Sequence, residues 1–439
     1  MADGRQLPEQ RATSAVLIFS HIALCCLSLI YCADFHFPGS PFDPKLFHIL
    51  YDPAKFYEAV FVVSAFAVVS FVFLFARFSF GFFVGFYLYM MVLGYLWLNC
   101  FSDLNYDHQL AGASATASAI AFLWPALFMA SPIRQVYTLS PRALEHLLRF
   151  ILLFAAVTII IGASYNFRLV PLDNIYDYRD RLESPKIVNY LVGMTSNSLL
   201  PFAFACFVTR NDRLRAGVVL VLLLLFYPIT LSKLTFFTPL WLCFVVLLSK
   251  IFEARISVFL SLFVPILTGV VFFTFFKAQS APYFGTLNFR MNAIPSVAMD
   301  VYNDFFSKHE LTYFCQISAL KQLIYCPYHE PLAIVMKKAY ELGNFNASLF
   351  ATEGIASVGP WIAPLTVFIC GLVIALGNRL SAGLPPRFIL ISGAILPQVL
   401  LNVPLTIALL THGAAVLFLL WYVTPRTMFE QEGKLANRS

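Results

Sequence analysis

Apolar residues run along this chain in long stretches that are separated by short polar segments. A helix needs about 20 mainly apolar residues to cross the hydrocarbon core of a bilayer. Stretches of about this length predict membrane spans near residues 14–32, 56–76, 80–100, 112–131, 149–166, 188–208, 256–276, 355–377, 387–402 and 405–423. The pattern predicts an all-α polytopic membrane protein in which residues 1–439 form a single transmembrane domain.

One further apolar stretch, residues 216–249, is too long for a single crossing. Pro228 breaks the helical pattern, and Ser232 and Lys233 supply polar residues for the tip of a hairpin between two spans. This division brings the predicted total to about 12 transmembrane helices. The short turn near Asn402 also allows one broken helix in place of the last two spans.

The composition excludes a water-soluble enzyme. Of the 439 residues, 60% are hydrophobic and 12% are charged, and a soluble domain carries about twice that charged fraction. The 29 Lys and Arg residues are scattered between apolar stretches, which argues against nucleic acid as a partner. With both termini inside, the inner connections hold 16 of these cations and seven of the 23 acids. Because cytoplasmic loops retain Lys and Arg, this asymmetry predicts cytoplasmic termini.

Three of the predicted outer connections are long, at residues 33–55, 167–187 and 277–352. The last is far longer than ordinary loops, which predicts a structure or function of its own. Its apolar residues recur at helical spacing over 311–324, as in an amphipathic helix on a membrane surface, and 330–342 predicts a second short helix. Such helices would either roof a cavity or simply seal the bundle.

Two of the nine cysteines, Cys315 and Cys326, lie in the largest outer loop. If that side of the membrane is oxidising, a disulfide between them is one interpretation, and two free thiols are the other. No CxxC motif or His/Cys cluster has the spacing of metal ligands. We therefore expect no structural metal.

The second outer loop, residues 167–187, is unusually rich in Tyr, Asp and Arg. Tyr176 and Tyr178 lie beside Arg179 and Arg181, close to the mouth of a membrane helix. Arginine binds phosphate well because its planar fork presents paired donors and keeps its charge. The loop therefore predicts a diphosphate site at the membrane surface. The alternative is a solvated loop whose arginines pair with the neighbouring acids Asp177, Asp180 and Glu183.

Two more cations, Lys233 and Arg290, are predicted near the membrane and far from the inner face. A cation at membrane depth costs about 2.5 to 3.5 kcal/mol on insertion scales, so it usually has a partner or a function. The alternative for both is that the long side chain reaches up to the polar interface.

Small and polar residues cluster at 343–359, where the tenth predicted span begins. Asn344 and Asn346 supply amides that suit sugar hydroxyls. Glu353 is an acid placed where a helix enters lipid, and partial desolvation can raise a glutamate pKa enough for it to act as a base near neutrality. The alternative for Glu353 is an ordinary helix-start acid that the helix dipole favours.

The chain resembles the Wzy-type oligosaccharide repeat-unit (O-antigen) polymerases of bacterial envelopes. The resemblance covers the whole chain in architecture, with many spans and enlarged periplasmic loops. It is sharpest at residues 176–181 (Tyr-Asp-Tyr-Arg-Asp-Arg), 232–234 (Ser-Lys-Leu), Arg290 with 301–306 (Val-Tyr-Asn-Asp-Phe-Phe), and 343–359.

This resemblance implies a metal-independent, cofactor-free membrane glycosyltransferase with a GT-C-like fold, in the bacterial inner membrane with its site facing the periplasm. It would transfer a growing glycan from undecaprenyl diphosphate to the non-reducing end of a lipid-linked repeat unit. The resemblance implies catalytic roles for Glu353, Arg290 and Arg179. It implies substrate binding by Arg181, Lys233, Tyr176, Tyr178, Asn344, Asn346, His309 and His329.

In this scheme the cations Arg179, Arg181, Arg290 and Lys233 stabilise the leaving diphosphate. Glu353 is the first choice for the base, with His309 and His329 behind it. The bilayer and the lipid-linked oligosaccharide are the expected partners, and the resemblance also allows a chain-length regulator.

Two alternatives remain from the sequence. An O-antigen ligase shares the architecture but transfers the glycan to the lipid A core. A lipid-glycan flippase or transporter also suits twelve spans, although transporters usually show repeated halves and polar residues near the membrane middle.

Overall fold

The computed structural model describes residues 8–35, 43–171, 175, 178, 184–317, 320–321, 323–342 and 345–429. Ten helices within these residues are long and apolar enough to cross a bilayer. They are α1 (Glu9–Ala33), α2 (Pro53–Phe75), α3 (Phe80–Asn99), α4 (His108–Phe128), α5 (Pro141–Tyr165), α6 (Lys186–Thr209), α7 (Arg213–Thr230), α8 (Lys233–Ile251), α9 (Ala254–Phe276) and α12 (Phe350–Ser381). Between α9 and α12 lie α10 (281–308) and α11 (Leu332–Tyr340). The chain is an all-α, multi-pass membrane protein.

Successive spanning helices run up and down, so their connections fall at two ends of the bundle. We call the end that holds residues 100–107 and 309–317 the loop end, and the end that holds 76–79 and 252–253 the turn end. At the turn end, Glu145 of α5 binds Arg210 at 2.9 Å.

Helix α3 forms the centre of the bundle, because every residue from Phe80 to Leu98 is buried. A helix that is apolar on all sides is stable only when other helices or lipid surround it. Asn378 of α12 joins it to α4, since its Oδ1 accepts from Gly81 N at 2.6 Å and its Nδ2 donates to Ala126 O at 2.7 Å. A Cβ on Gly81 would lie 2.1 Å from Ala126 O.

Helix α10 lies within the predicted outer loop 277–352, yet its residues from 295 to 306 are buried. A π-helical segment, Gly285–Ala293, interrupts it. Its neighbours are α1, α3 and α9, so the first part of this predicted loop is packed inside the bundle.

The polar side chains of α10 find hydrogen-bond partners on those neighbours. Asn288 Nδ2 donates to Ile266 O of α9 at 2.8 Å, and Asn292 Nδ2 donates to Cys25 O of α1 at 3.1 Å. A buried amide is stable where backbone carbonyls satisfy it. These partners explain why a polar segment that resembles a loop in sequence lies inside the protein.

The last two predicted spans, 387–402 and 405–423, are broken in the structure. Their residues form α13 (Pro386–Ser392), α14 (Leu396–Leu400), α15 (Leu405–Leu410) and α16 (Ala414–Val423). Proline interrupts helical hydrogen bonding, and Gly413 adopts a left-handed φ of 74°. Each of the last two predicted spans is thus replaced by two short helices, and the described residues contain ten full-length spans, not the expected 12.

The rest of the large outer connection covers the loop end. Its helix α11 lies within the predicted helix 330–342, whereas the described residues of 311–324 form turns and not the expected amphipathic helix. Cys315 and Cys326 form a disulfide. Thr312 N donates to Ala356 O at 2.8 Å, which attaches this segment to the start of α12.

Candidate functional site

A cavity of about 330 Å³ lies at the loop end of the bundle. Parts of α5, α6, α7 and α8 form its walls, together with Thr411 and His412 between α15 and α16. Its polar lining residues are Asn166, Ser184, Asn189, Ser196, Asn197, Thr230, Ser232, Thr235, Thr411 and His412. No Asp or Glu is among the lining residues that the structure describes. Hydroxyl, amide and imidazole groups without acids suit a ligand rich in oxygen atoms.

Glycines allow the walls of this cavity to approach one another closely. A Cβ on Gly193 of α6 would lie 2.5 Å from Thr411 O. Gly413 has a left-handed φ, and a Cβ there would lie 2.8 Å from Met194 Cγ. The residues between α15 and α16 therefore pack directly against α6.

A π-helical turn, Thr195–Leu199, interrupts α6 where it borders the cavity. Such single turns inside α-helices occur frequently at functional sites because they change which side chains face a neighbour. Ser196 and Asn197 belong to this turn, and both line the cavity.

The tip of the α7–α8 hairpin forms a second wall. Leu231 has a left-handed φ of 43°, and Lys233 is half-buried at the first position of α8. Ser232 and Thr235, on either side of Lys233 in the sequence, line the cavity. The tip of the predicted hairpin thus forms part of the cavity wall, although Lys233 itself is not among the described lining residues.

The start of the predicted diphosphate loop, 167–187, packs against this hairpin. Arg168 N donates to Pro228 O at 3.0 Å, and the hydroxyl of Tyr227 donates to Val170 O. The start of this loop therefore contacts the hairpin of Lys233.

The other predicted residues of that loop are only partly described. The exposed ring of Tyr178 lies 5.9 Å from the guanidinium carbon of Arg168, which is a cation–π contact. Tyr176, Arg179 and Arg181 lie outside the described residues.

Glu353 lies in a second π-helical segment, Phe350–Ala356, and is 7% exposed. Its Oε1 accepts from Thr406 N at 3.2 Å, and its Oε2 accepts from Thr352 Oγ1 at 2.7 Å. Thr406 belongs to the first turn of α15, so the carboxyl group caps that helix from another segment. Glu353 is not among the residues that line the cavity.

Arg290 lies in the π-helical part of α10, which packs on α1 and α9. These helices do not line the cavity, so the structure does not bring Arg290 together with Lys233 there. His309, His329 and Asn346 are exposed elsewhere on the loop end, and Asn344 lies outside the described residues.

His412 is a cavity residue that the sequence interpretation missed. Its Nδ1 lies 3.0 Å from Asn197 Nδ2. The available signal was a polar Thr-His-Gly sequence at residues 411–413, between two apolar stretches, since ionisable residues at such positions often have a function.

A second polar cluster, also missed, surrounds Asp300 of α10 beside the connection 100–107. The carboxyl group accepts from the hydroxyls of Tyr106 and Ser102, the latter at 2.8 Å. Burial raises the pKa of Asp300 from 3.8 to about 6, although the hydrogen bonds from Tyr106 and Ser102 lower it. Burial also raises the pKa of Tyr106 above its ordinary range.

Asp304 lies one turn further along α10 and joins it to two other segments. Its carboxyl group accepts from Asn105 N at 3.1 Å, from Lys308 Nζ at 2.5 Å and from Tyr340 Oη of α11 at 2.6 Å. Burial and the neighbouring carboxylate raise the pKa of Tyr340. This cluster holds α10, α11 and residues 100–107 together.

In the described part of the chain, no group of three or more His, Cys, Asp or Glu side chains is arranged to hold a metal ion. Comparison with known proteins finds no matching family model, no similar curated protein and no similar solved structure.

Proposed function

We propose that this protein is a membrane glycosyltransferase that polymerises lipid-linked oligosaccharide repeat units. It would act in a bacterial inner membrane with the loop end in the periplasm. The donor is a growing glycan on undecaprenyl diphosphate, and the acceptor is the non-reducing sugar of a new lipid-linked repeat. The acceptor hydroxyl oxygen bonds to the anomeric carbon, the bond from that carbon to the diphosphate oxygen breaks, and the hydroxyl proton passes to water at the loop end.

One observation carries this proposal. The hairpin of Lys233 and the start of the loop 167–187 meet beside a cavity with hydroxyl and amide walls. Hydroxyl and amide groups bind sugars by hydrogen bonds, and a nearby cation binds phosphate. A lipid-linked oligosaccharide carries both kinds of group, which is why it fits this site better than a purely apolar lipid.

Lys233, with Arg179 and Arg181 from the adjoining loop, would hold the diphosphate. Fixed positive charge stabilises the negative charge that develops on a leaving diphosphate, without any need for proton transfer to it. Asn166, Asn189 and the hydroxyls of the hairpin tip would orient the sugars. Arg290 is not included in this diphosphate site, because its helix does not line the cavity.

The proposal is tested in a strain that lacks the chromosomal gene and carries variants on a plasmid. Lys233→Ala should shorten the glycan ladder to single repeats and reduce the polymerisation rate at least about tenfold, because a hydrogen bond to a charged group contributes about 1.5 to 3 kcal/mol. Lys250→Ala, an exposed lysine near the turn end, is the matched control and should leave the ladder unchanged.

Gel analysis of the surface glycan reads the result, with membrane fractions showing equal protein. Loss of all attached glycan in the deletion strain would indicate a ligase instead. Accumulation of lipid-linked repeats on the cytoplasmic side would indicate a flippase.

A further inference from the structure

His412 is held in the cavity wall from two sides. Ser198 Oγ donates to His412 O at 2.6 Å, and Asn197 Nδ2 contacts the ring at Nδ1. The following residue, Gly413, adopts a left-handed φ that brings this segment against α6. Both the backbone and the ring of His412 are therefore positioned by the π-helical turn of α6.

The orientation of the Asn197 amide decides which ring nitrogen carries the proton. Asn197 Nδ2 also lies 2.8 Å from Gly193 O. A backbone carbonyl only accepts hydrogen bonds, so the atom of Asn197 that faces it is the amide nitrogen and not the oxygen. The same NH₂ group therefore donates to His412 Nδ1.

Because Nδ1 of the neutral ring accepts a hydrogen bond, its proton lies on Nε2. Nδ1 is occupied by Asn197, so Nε2 is the ring atom that remains for a ligand in the cavity. In this tautomer Nε2 is a donor, which excludes it from taking a proton from a sugar hydroxyl.

We propose that His412 is a ligand-binding residue that donates a hydrogen bond from Nε2 to an anionic oxygen of the bound diphosphate, and that Asn197 is the positioning residue that fixes the tautomer. This inference rests on the proposed function in one respect: the proposed function supplies the assignment of the diphosphate to a lipid-linked ligand. The absence of carboxylates among the described lining residues favours a phosphate oxygen over a cationic ligand at this position.

A matched pair of substitutions separates the two edges of the imidazole ring. The amide nitrogen of His412→Gln reaches about where Nε2 lies, whereas the shorter His412→Asn reaches only the position of Nδ1. His412→Asn retains a polar atom for Asn197 but no donor for the ligand, whereas His412→Gln retains the donor for the ligand. Binding of a short-chain polyprenyl diphosphate and of inorganic pyrophosphate is measured with the purified full-length protein in nanodiscs.

We expect the affinity of His412→Gln for the polyprenyl diphosphate to be within about threefold of the wild type. His412→Asn should bind at least about tenfold more weakly, as expected for loss of a hydrogen bond to a charged group. Equal affinities for both variants and the wild type would overturn the proposal. Pyrophosphate should show the same order but bind more weakly. If it binds as tightly as the lipid, the assignment to a lipid-linked ligand is overturned.

Asn197→Asp tests the positioning role. Its carboxylate would accept a hydrogen bond from Nδ1–H and favour the doubly protonated ring. The deficit in diphosphate affinity relative to the wild type should therefore shrink as the pH falls from 8 to 6. A purely structural defect would give a constant deficit, and that result would contradict the tautomer argument.

The binding assay tests this inference, and the glycan ladder tests the polymerase proposal, so either can be overturned without the other. One outcome is that deletion of the gene abolishes the glycan ladder while diphosphate binding does not depend on residue 412. That result would overturn this inference and leave the polymerase proposal standing. Diphosphate binding that depends on residue 412, in a protein whose deletion leaves the ladder unchanged, would support the inference and overturn the polymerase proposal.

Discussion

At the scale of single residues, the carboxyl group of Asp300 is buried although it does not lie on one of the ten spanning helices. It is 1% exposed and is held by hydroxyl groups of Tyr106 and Ser102. Burial disfavours the ionised form more than these hydrogen bonds favour it, so its pKa is raised to about 6. The protonation state of this residue is therefore linked to stability between about pH 4 and pH 6.

The raised pKa of Asp300 predicts how stability depends on pH. Below about pH 4 the carboxyl group is protonated in both the folded and the unfolded protein, and its burial carries no charge penalty. As the pH rises from about 4 to about 6, the carboxyl group ionises in the unfolded state but stays protonated in the folded state, and the protein loses up to about 3 kcal/mol of unfolding free energy.

Asp300→Asn should remove this loss, so that its thermal unfolding temperature relative to wild type rises between pH 4 and 6.5. Unfolding in detergent is followed by intrinsic fluorescence. Glu310→Gln, an exposed acid on the same end, is the control and should follow the wild type. A pH-independent difference between Asp300→Asn and the wild type would contradict the prediction.

At the scale of elements, α6 reaches residues 411–413 only because glycines permit it. A Cβ on Gly193 would lie 2.5 Å from Thr411 O, a backbone atom that is not free to turn aside. The π-helical turn that follows places Ser196 and Asn197 at the cavity. The cavity thus depends on the close approach of Gly193 to the backbone of Thr411, which a single added methyl group would prevent.

Gly193→Ala should therefore destabilise the protein by about 1 to 3 kcal/mol, the usual effect of overpacking. It should also weaken diphosphate binding, because the new methyl group displaces His412. Gly217→Ala in α7 is the matched control: its Cβ would meet no atom within 4 Å, and alanine favours a helix by up to about 1 kcal/mol. Thermal unfolding and ligand binding are measured for both, and equal effects would argue against this packing account.

The contact between Glu353 and α15 gives another prediction at this scale. Glu353→Gln retains an oxygen that accepts from Thr406 N, so glycan polymerisation should stay within about twofold of the wild type. Glu353→Ala should lower stability by about 0.5 to 2 kcal/mol, as for loss of a helix cap. If Glu353 were the general base, the Gln variant would lose about 100-fold or more in rate, which the ladder assay would detect.

At the scale of the whole molecule, the bundle has two chemically different ends. The disulfide between Cys315 and Cys326 belongs to the loop end. Disulfides persist in oxidising compartments, and the distribution of Lys and Arg independently favours cytoplasmic termini. We therefore expect the loop end to face away from the cytoplasm.

This orientation predicts the labelling of single cysteines in a variant whose seven free cysteines are replaced by alanine. When Cys315 is also replaced by alanine, the half-buried thiol of Cys326 should react with a membrane-impermeant maleimide in spheroplasts. When both disulfide cysteines are replaced by alanine, a cysteine introduced as Arg142→Cys, at an exposed position of the turn end, should react only after the membrane is permeabilised. The reverse labelling pattern would show that the bundle is inserted the other way.

The sequence predicted the spans well because each depends on a local property, the length of an apolar stretch relative to the bilayer. It also indicated the hairpin at Lys233, where a proline and polar residues interrupt such a stretch. It failed for α10, because Asn288 and Asn292 appear suited to solvent until their carbonyl partners on α1 and α9 are known.

From its sequence alone, this protein is a multi-pass helical membrane protein with one polar, loop-rich end. Hydrophobicity and charge decide those properties residue by residue. Only the tertiary structure decided that the start of the loop 167–187 meets the Lys233 hairpin, that Arg290 lies on other helices, and that Glu353 caps α15. Each of these contacts depends on which distant segment packs against a polar group and supplies its hydrogen-bond partner. The local pattern of hydrophobic and polar residues does not determine that partner.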